Sequence, residues 1–140
     1  MHEHFQNPGP EAIRDLLSRI RSIAVVGLSP KSNRPSHGVA QALQNFGYRI
    51  IPVRPACATI LGETAYPDLR ALPEVPDLVD VFRAPEHVGP IVEACIELGV
   101  AAIWLQDGVI NEAAARQALD AGMTVIMDRC IYRDYLLLMV

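Results

Sequence analysis

Five short runs of apolar residues recur along the chain, separated by segments whose apolar positions have helical spacing. The runs lack a strict alternation of apolar and polar residues, which is typical of strands covered on both faces. Strands that alternate with helices of about ten to fifteen residues predict βαβ units and a parallel sheet. The predicted strands are residues 22–27, 48–53, 78–82, 100–105 and 124–127.

The segments around these strands predict helices with recognisable ends. Ser36 is expected to cap the second helix and Asn111 the fourth, because both side chains accept hydrogen bonds from the first N–H groups of a helix. The proline-rich segment 54–77 is predicted to be loop, with one short helical turn at residues 68–72. The predicted helices are residues 11–20, 37–46, 85–98 with an interruption at Gly89-Pro90, 111–121, and a last apolar helix or tail after Cys130.

Right-handed crossovers between parallel strands place helices on both faces of a sheet. The sequence therefore predicts an α/β fold, a Rossmann-like doubly wound five-stranded parallel sheet in three α/β/α layers. We expect the strands, numbered along the chain, to lie in the order 3-2-1-4-5. No linker or repeat is visible, so residues 1–140 are predicted to form a single domain. Ligands of such sheets bind at the carboxyl ends of the strands, where the strand order reverses.

Composition narrows the classes of function. With 51% hydrophobic and 20% charged residues, the 140-residue chain is typical of neither disordered nor membrane proteins, and no apolar run approaches the ~20 residues of a spanning helix. The net charge of −4 argues against binding of duplex nucleic acid. No signal peptide is visible and the three cysteines are widely spaced, which predicts a cytoplasmic protein. The histidines have no ligand spacing with the cysteines, so no metal site is predicted.

The charges are unevenly distributed. Between Asp15 and Glu63 there is no acidic residue, although this span holds six of the chain's 12 lysines and arginines. Within it, a loop of Gly, Ser, Pro and Asn residues carries Lys31 and Arg34 from the first strand to the second helix. Free N–H groups and the dipole at a helix N-terminus favour a phosphate there, and a nearby carboxylate would repel it. The segment therefore predicts a site for an anionic ligand.

The spacing within this loop excludes several familiar motifs. Lys31-Ser32 lacks the upstream glycines of a Walker A loop. Gly27-Leu28-Ser29 begins like a nucleophile elbow, but Lys31 occupies the position of the last glycine, which argues against a hydrolase. The dinucleotide fingerprint also fails, because no glycine lies between Gly27 and Gly38.

The end of the second strand indicates which nucleotide the site prefers. Enzymes that prefer NAD place an Asp or Glu there to bind the ribose 2′-hydroxyl, and here the position is taken by Arg54. An arginine binds phosphate through two parallel hydrogen bonds. The ligand is therefore expected to carry a phosphate on its adenosine ribose, as coenzyme A and NADP both do.

Several segments together carry a resemblance to a known family: Val26-Gly27-Leu28-Ser29-Pro30-Lys31 with Arg34-Pro35-Ser36, Pro52-Val53-Arg54-Pro55, Asp80-Val81-Phe82-Arg83 with Glu86, Trp104-Leu105-Gln106-Asp107-Gly108, and Met127-Asp128-Arg129-Cys130. From about residue 22 to 133, the chain resembles the small stand-alone CoA-binding proteins, which are similar to the N-terminal CoA-binding domain of succinyl-CoA ligase α subunits. One position departs from the family, which usually has Asn in place of Arg54. The arginine would strengthen a phosphate contact if its side chain faces the ligand.

The resemblance implies that the pyrophosphate of CoA lies on residues 29–36 and that the adenosine lies near Arg54, Phe82 and Arg83. The pantetheine arm would pass Leu105 and Gln106. The cofactor-binding residues predicted in this way are Gly27, Leu28, Ser29, Pro30, Lys31, Arg34, Ser36, Val53, Arg54, Phe82, Arg83, Leu105 and Gln106.

In the related ligases, catalysis depends on a further domain with a phosphorylated histidine and on a nucleotide-binding subunit. This chain ends soon after its fifth predicted strand, so we expect non-catalytic binding of CoA or acyl-CoA, with no catalytic residues. An NADP-binding oxidoreductase fragment and a regulatory nucleotide-binding subunit are the alternatives. A contact of the apolar tail, residues 136–140, with a protein partner or a second copy in a homodimer is a further hypothesis. Neither a nucleic acid nor a membrane is expected as a partner.

Overall fold

The structure is a computed structural model that describes residues 4–140. Seven strands occur in this part of the chain: β1 Ser22–Val26, β2 Arg49–Val53, β3 Thr59–Ile60, β4 Glu63–Thr64, β5 Leu78–Val81, β6 Ala102–Leu105 and β7 Thr124–Ile126. The α-helices are α1 Pro10–Arg19, α2 Pro35–Asn45, α3 Val88–Leu98, α4 Glu112–Asp120 and α5 Ile131–Leu138. β3 and β4 form a separate two-stranded antiparallel hairpin, and the other five strands form one parallel sheet.

Helices cover both faces of the five-stranded sheet. One core lies between the sheet and α1, α2 and α5, and includes Val25 and the fully buried Trp104. The second core lies between the sheet and α3 and α4, and includes Ala24, Ile103 and Cys95. Successive strand residues point to opposite faces, which explains why the strands of the five-stranded sheet are nearly continuous apolar runs. The predicted α/β fold, with a doubly wound parallel sheet and three layers, is confirmed.

The predicted order of the strands is wrong. The sheet has the order β2-β1-β5-β6-β7, which is 2-1-3-4-5 when only its own strands are numbered. β2 is therefore an edge strand, and its Pro52 gives the physical reason. The carbonyl of Pro52 faces the outer edge, where it accepts a 3.0 Å hydrogen bond from the N–H of Tyr66. The N–H that proline lacks would face the same edge, so a further full strand could not pair there.

Three local features differ from the prediction. Ser36 is not the N-cap of α2, which begins at Pro35 with Arg34 as its cap residue. The segment after β2 contains the β3–β4 hairpin rather than loop and one turn alone. Gly89-Pro90 does not interrupt α3, because the proline lies in the first turn, where its missing N–H would have no partner inside the helix. The predicted cap by Asn111 is confirmed, since its side chain accepts a hydrogen bond from the N–H of Ala114.

The C-terminal residues form α5, and part of that helix remains exposed. Ile131 and Asp134 are buried, whereas Leu136, Leu137 and Val140 are exposed. The contact of this tail with a partner stays a prediction. Within residues 4–140, none of the helices combines the length and the apolar character that crossing a membrane requires.

Candidate functional site

The ends of β1, β2 and β5 meet around Gly27. The N–H of Gly27 donates to the carbonyl of Val53 at 2.9 Å, and the N–H of Phe82 donates to the carbonyl of Val26 at 2.8 Å. Gly27 has a φ of 85°, and a Cβ atom at this position would lie 2.4 Å from the carbonyl oxygen of Phe82. Only glycine fits this close approach. It lies between β1 and β5, at the point where the strand order reverses, which is where open α/β sheets bind ligands.

The loop after Gly27 is held by the side chain of Ser36, which was predicted to cap α2. The hydroxyl of Ser36 accepts a 2.9 Å hydrogen bond from the N–H of Ser29, and both residues are buried. The hydroxyl of Ser29 in turn accepts from the N–H of Lys31 at 3.1 Å. The cap residue of α2, Arg34, makes no side-chain cap bond. The positive end of the α2 dipole is therefore directed at the space beside this loop.

A cationic cavity of about 340 Å³ opens beside the loop. Its described walls contain three cations and no carboxylate. They comprise Gly27, Ser29, Lys31, Arg34, Pro35, Ser36, Arg54 and Phe82. Lys31 and Arg34 are exposed and Arg54 is half-buried. Among residues 4–140, no acidic side chain forms an ion pair with any of these three cations. The cavity therefore carries a concentrated, uncompensated positive charge.

A second, mainly apolar cavity of about 240 Å³ lies across the same strand ends. It is lined by Val26, Val53, Pro55, Pro67, Asp68, Leu69, Arg70, Arg83, His87, Pro90, Ile91 and Ala94. The two cavities are back to back, because neighbouring residues at the end of a strand face opposite sides of the sheet. Val26 and Val53 face the apolar cavity, whereas the following Gly27 and Arg54 face the cationic one.

The structure distributes the predicted site residues over both cavities and the core. Seven of them line the cationic cavity, and Val53 and Arg83 line the apolar one. Leu28 and Leu105 are fully buried in the two cores, and Pro30 is exposed on the loop. Sequence reasoning missed the walls contributed by residues 67–70 and 87–94. The proline-rich composition of the segment after β2 was the available signal for a rigid wall there.

Gln106 has a partner that the sequence did not reveal. Its Nε2 donates a 2.5 Å hydrogen bond to Oδ1 of Asp80, a fully buried residue in the middle of β5. Oδ2 of Asp80 is buried without a hydrogen-bond partner among the described residues. Burial raises the pKa of Asp80 from 3.8 to about 7, and the hydrogen bond from Gln106 acts in the opposite direction.

The loops after β6 and β7 are tied together by charged side chains. Asp128 accepts a 2.7 Å hydrogen bond from the N–H of Gly108, and Arg129 forms a two-bond ion pair with Asp134. Oδ2 of Asp134 lies 2.6 Å from Nε of Arg129. This network fixes the edge of the sheet beside Gln106.

Comparison with known proteins identifies the family. The CoA-binding domain model matches residues 21–135. The chain is 41% identical to the Bacillus subtilis protein YneT over 127 residues, which cover 91% of this chain and 94% of YneT. It is 32% identical to a solved hypothetical protein from Pyrococcus horikoshii, with a TM-score of 0.92, and the match covers 99% of this chain and 100% of that protein.

A third relative is an enzyme of which this chain matches only a small part. The chain is 32% identical to an ADP-forming acetate–CoA ligase from Archaeoglobus fulgidus over 73 residues, which are 52% of this chain and 11% of the ligase. The family match spans all the strands from β1 to β7, together with both cavities. The chain therefore belongs to the CoA-binding domain family.

Proposed function

We propose that this protein binds coenzyme A or acyl-CoA in the crevice at the carboxyl ends of its strands, without catalysing a reaction of the ligand. The single observation that carries the proposal is the cationic cavity, in which residues 4–140 supply three cations without an ion-pair partner and no carboxylate. CoA offers this cavity a pyrophosphate and a ribose 3′-phosphate. Charge-assisted hydrogen bonds from arginine and lysine to phosphate are among the strongest that a protein makes.

The pyrophosphate is assigned to the loop that ends at α2. Lys31 and Arg34 provide charge at its rim, and the N-terminus of α2 adds its dipole. The Ser29–Ser36 hydrogen bond holds the loop in place before a ligand arrives. A preformed loop loses less conformational entropy on binding than a mobile one, which favours affinity.

The ribose 3′-phosphate is assigned to Arg54. This residue follows β2 directly and lines the cationic cavity, so its side chain is on the side that a phosphate contact requires. An Asp or Glu at this position would favour the free 2′-hydroxyl of NAD instead. The arginine thus supports a ligand with a phosphate on the adenosine ribose.

The remaining parts of the ligand are assigned to the apolar surfaces nearby. The second cavity offers prolines and aliphatic side chains, a suitable environment for the flat adenine ring. The pantetheine arm is assigned to the carboxyl end of β6, where it would pass Gln106. In the cationic cavity the two serine hydroxyls accept backbone hydrogen bonds, and the described part of the chain contributes no histidine, cysteine or carboxylate to its walls. A reaction by an activated nucleophile is therefore not favoured there.

The test is calorimetric titration of the purified protein with CoA, dephospho-CoA, NADP and NAD at one salt concentration. We expect CoA to bind, with a loss of about 1.5–3 kcal/mol for dephospho-CoA, as for one hydrogen-bonded charge contact. Arg54→Ala should abolish the difference between the two ligands. Arg21→Ala is the matched control, because it removes an exposed arginine outside both cavities and should leave that difference intact.

The other outcomes separate the alternatives. Binding of NADP without CoA would favour an NADP-binding oxidoreductase fragment. A difference between CoA and dephospho-CoA that persists in Arg54→Ala would refute the role of this residue. No heat with any of the four ligands would mean that the chain retains the fold of its family without the binding.

A further inference from the structure

Asp80 is a buried carboxyl in a strand that otherwise carries aliphatic residues. It is fully buried in β5, directly opposite Val25 on β1 and Trp104 on β6. Its Oδ2 atom has no hydrogen-bond partner among the described residues. A buried polar atom without a partner lowers the stability of a fold, so an aliphatic residue would serve the core better. Packing alone therefore does not account for a carboxyl at this position.

Gln106 connects this buried carboxyl to the carboxyl ends of the strands, where the crevice opens. It follows β6 directly, is 4% exposed, and donates from Nε2 to Oδ1 of Asp80. Its other amide atom, Oε1, accepts no hydrogen bond from residues 4–140, and it is not among the fully enclosed atoms. Nε2 of the amide is thus engaged in the core, whereas Oε1 has no hydrogen-bond partner among the described residues.

The protonation state of Asp80 determines which end of the amide can be engaged. An ionised carboxylate only accepts hydrogen bonds, so Gln106 must direct its NH₂ group inward and its carbonyl oxygen outward. A protonated Asp80 can donate from Oδ1 to the amide oxygen after a half-turn of the amide, which then directs the NH₂ group outward. In this arrangement the unpartnered atom of Asp80 is a carbonyl oxygen, which is less costly to bury alone than an O–H or N–H donor.

We propose that Asp80 is a positioning residue that acts through Gln106 and selects between acyl-CoA and free CoA. The proposal rests on the proposed function, with the pantetheine arm passing Gln106. When Asp80 holds its proton, Gln106 presents a donor, which matches the carbonyl oxygen of a thioester. When Asp80 is ionised, Gln106 presents an acceptor, which matches the S–H group of free CoA and leaves a thioester carbonyl without a donor.

The surroundings of Asp80 allow it to act as the titrating group near neutral pH. Burial raises its pKa to about 7, the hydrogen bond from Gln106 opposes this shift, and no charged side chain of residues 4–140 contributes to it. Its strand neighbours Val25 and Trp104 do not ionise. The buried or half-buried ionisable residues of the elements packed on this face are His37, Tyr48, Cys57, Arg129, Cys130, Asp134 and Tyr135. Among them, Arg129 and Asp134 neutralise each other.

The test is the ratio of the affinities for acetyl-CoA and CoA, measured by calorimetry between pH 5.5 and 8.0. The ribose phosphate titrates near pH 6 in both ligands, so its effect cancels in the ratio. In the unmodified protein we expect the ratio to fall about tenfold as the pH rises through this range, since a carbonyl that faces an acceptor is left unsatisfied. Asp80→Asn cannot ionise, and its ratio should not change with pH. Gln106→Met keeps the length of the side chain without the amide and should also give a constant ratio.

The outcomes distinguish this inference from the proposed function. Binding of both ligands with a ratio that is independent of pH in the unmodified protein would overturn the role of Asp80 and leave CoA binding intact. A ratio that still changes with pH in Gln106→Met would also overturn it, because another group would then be responsible. Failure of both ligands to bind at any pH would overturn the proposed function itself, and this inference with it.

Discussion

Replacement of Asp80 with asparagine is expected to remove a pH dependence from the folding of this protein. The buried carboxyl holds its proton up to about pH 7, whereas the same group ionises near its ordinary pKa of 3.8 in the unfolded chain. Between these values unfolding releases a proton, so the free energy of unfolding falls as the pH rises. The contribution of Asp80 to stability is complete below 3.8 and is lost as the pH rises through about 7.

The expected loss in the free energy of unfolding follows from the pH interval between the two pKa values of Asp80. Each pH unit corresponds to about 1.4 kcal/mol, so the unmodified protein should lose up to about 4 kcal/mol relative to the variant across the interval. A typical domain has a total stability of about 5–15 kcal/mol, so the loss should be easy to measure. Glu97 and Asp107 affect the free energy of unfolding in a different pH range. The hydrogen bonds from Arg70 and Arg133 lower the pKa values of these two carboxyls, so their contribution is lost only in more acidic solution.

The assay is urea denaturation at a series of pH values from 4.5 to 8.0. Far-UV circular dichroism reports the helices, and fluorescence of Trp104, the chain's one tryptophan, reports the core next to Asp80. The quantity of interest is the difference in the free energy of unfolding between the unmodified protein and Asp80→Asn, because other titrating groups cancel in it. The matched control is Asp120→Asn, an exposed carboxyl at the end of α4. Parallel profiles for the unmodified protein and Asp80→Asn would refute the reasoning.

Further substitutions test the close approach at Gly27 and the ion pair between Arg129 and Asp134. Gly27→Ala should lower the free energy of unfolding by about 1–3 kcal/mol, because its φ is 85° and its Cβ would collide with the carbonyl of Phe82. A Cβ at Gly38 in α2 would meet open space, so Gly38→Ala should raise the free energy of unfolding by about 0.5–1 kcal/mol. Equal effects of the two substitutions in urea denaturation would contradict the steric contact at Gly27. Arg129→Met should cost about 3 kcal/mol, because it leaves the carboxylate of Asp134 buried without its partner. The double variant with Asp134→Leu should regain part of that loss, and no recovery would argue against a role of the ion pair.

The class of the fold follows from local pattern, whereas the order of its strands does not. Apolar runs and helical spacing are properties of neighbouring residues, so they predict the layers from the sequence alone. Whether β5 pairs with β1 or with β2 depends on contacts between residues that lie far apart in the chain. Pro52 was the available signal for an edge strand, because its missing N–H cannot serve a neighbour on the outer side.

The candidate site was predictable where its residues lie directly after a strand. Lys31, Arg34 and Arg54 are in loops that the sequence places at the carboxyl ends of β1 and β2, and the structure gathers all three in one cavity. The contact between Asp80 and Gln106 could not be predicted in this way, because it joins β5 to the residue that follows β6, and these strands become neighbours only in the folded sheet. An acidic residue inside an apolar strand was the only sign of it.

The alternation of side chains along the strands explains why this crevice has two different halves. At the end of β1, Val26 lines the apolar cavity and Gly27 the cationic one, and Val53 and Arg54 repeat this arrangement at the end of β2. Because the pleat fixes which residue faces which side, a one-residue shift of β2 against β1 would exchange the arginine with the valine. The cationic cavity would then lose a charge, and the apolar cavity would gain one. The register that buries the core is therefore the same register that separates a cationic surface from an apolar one.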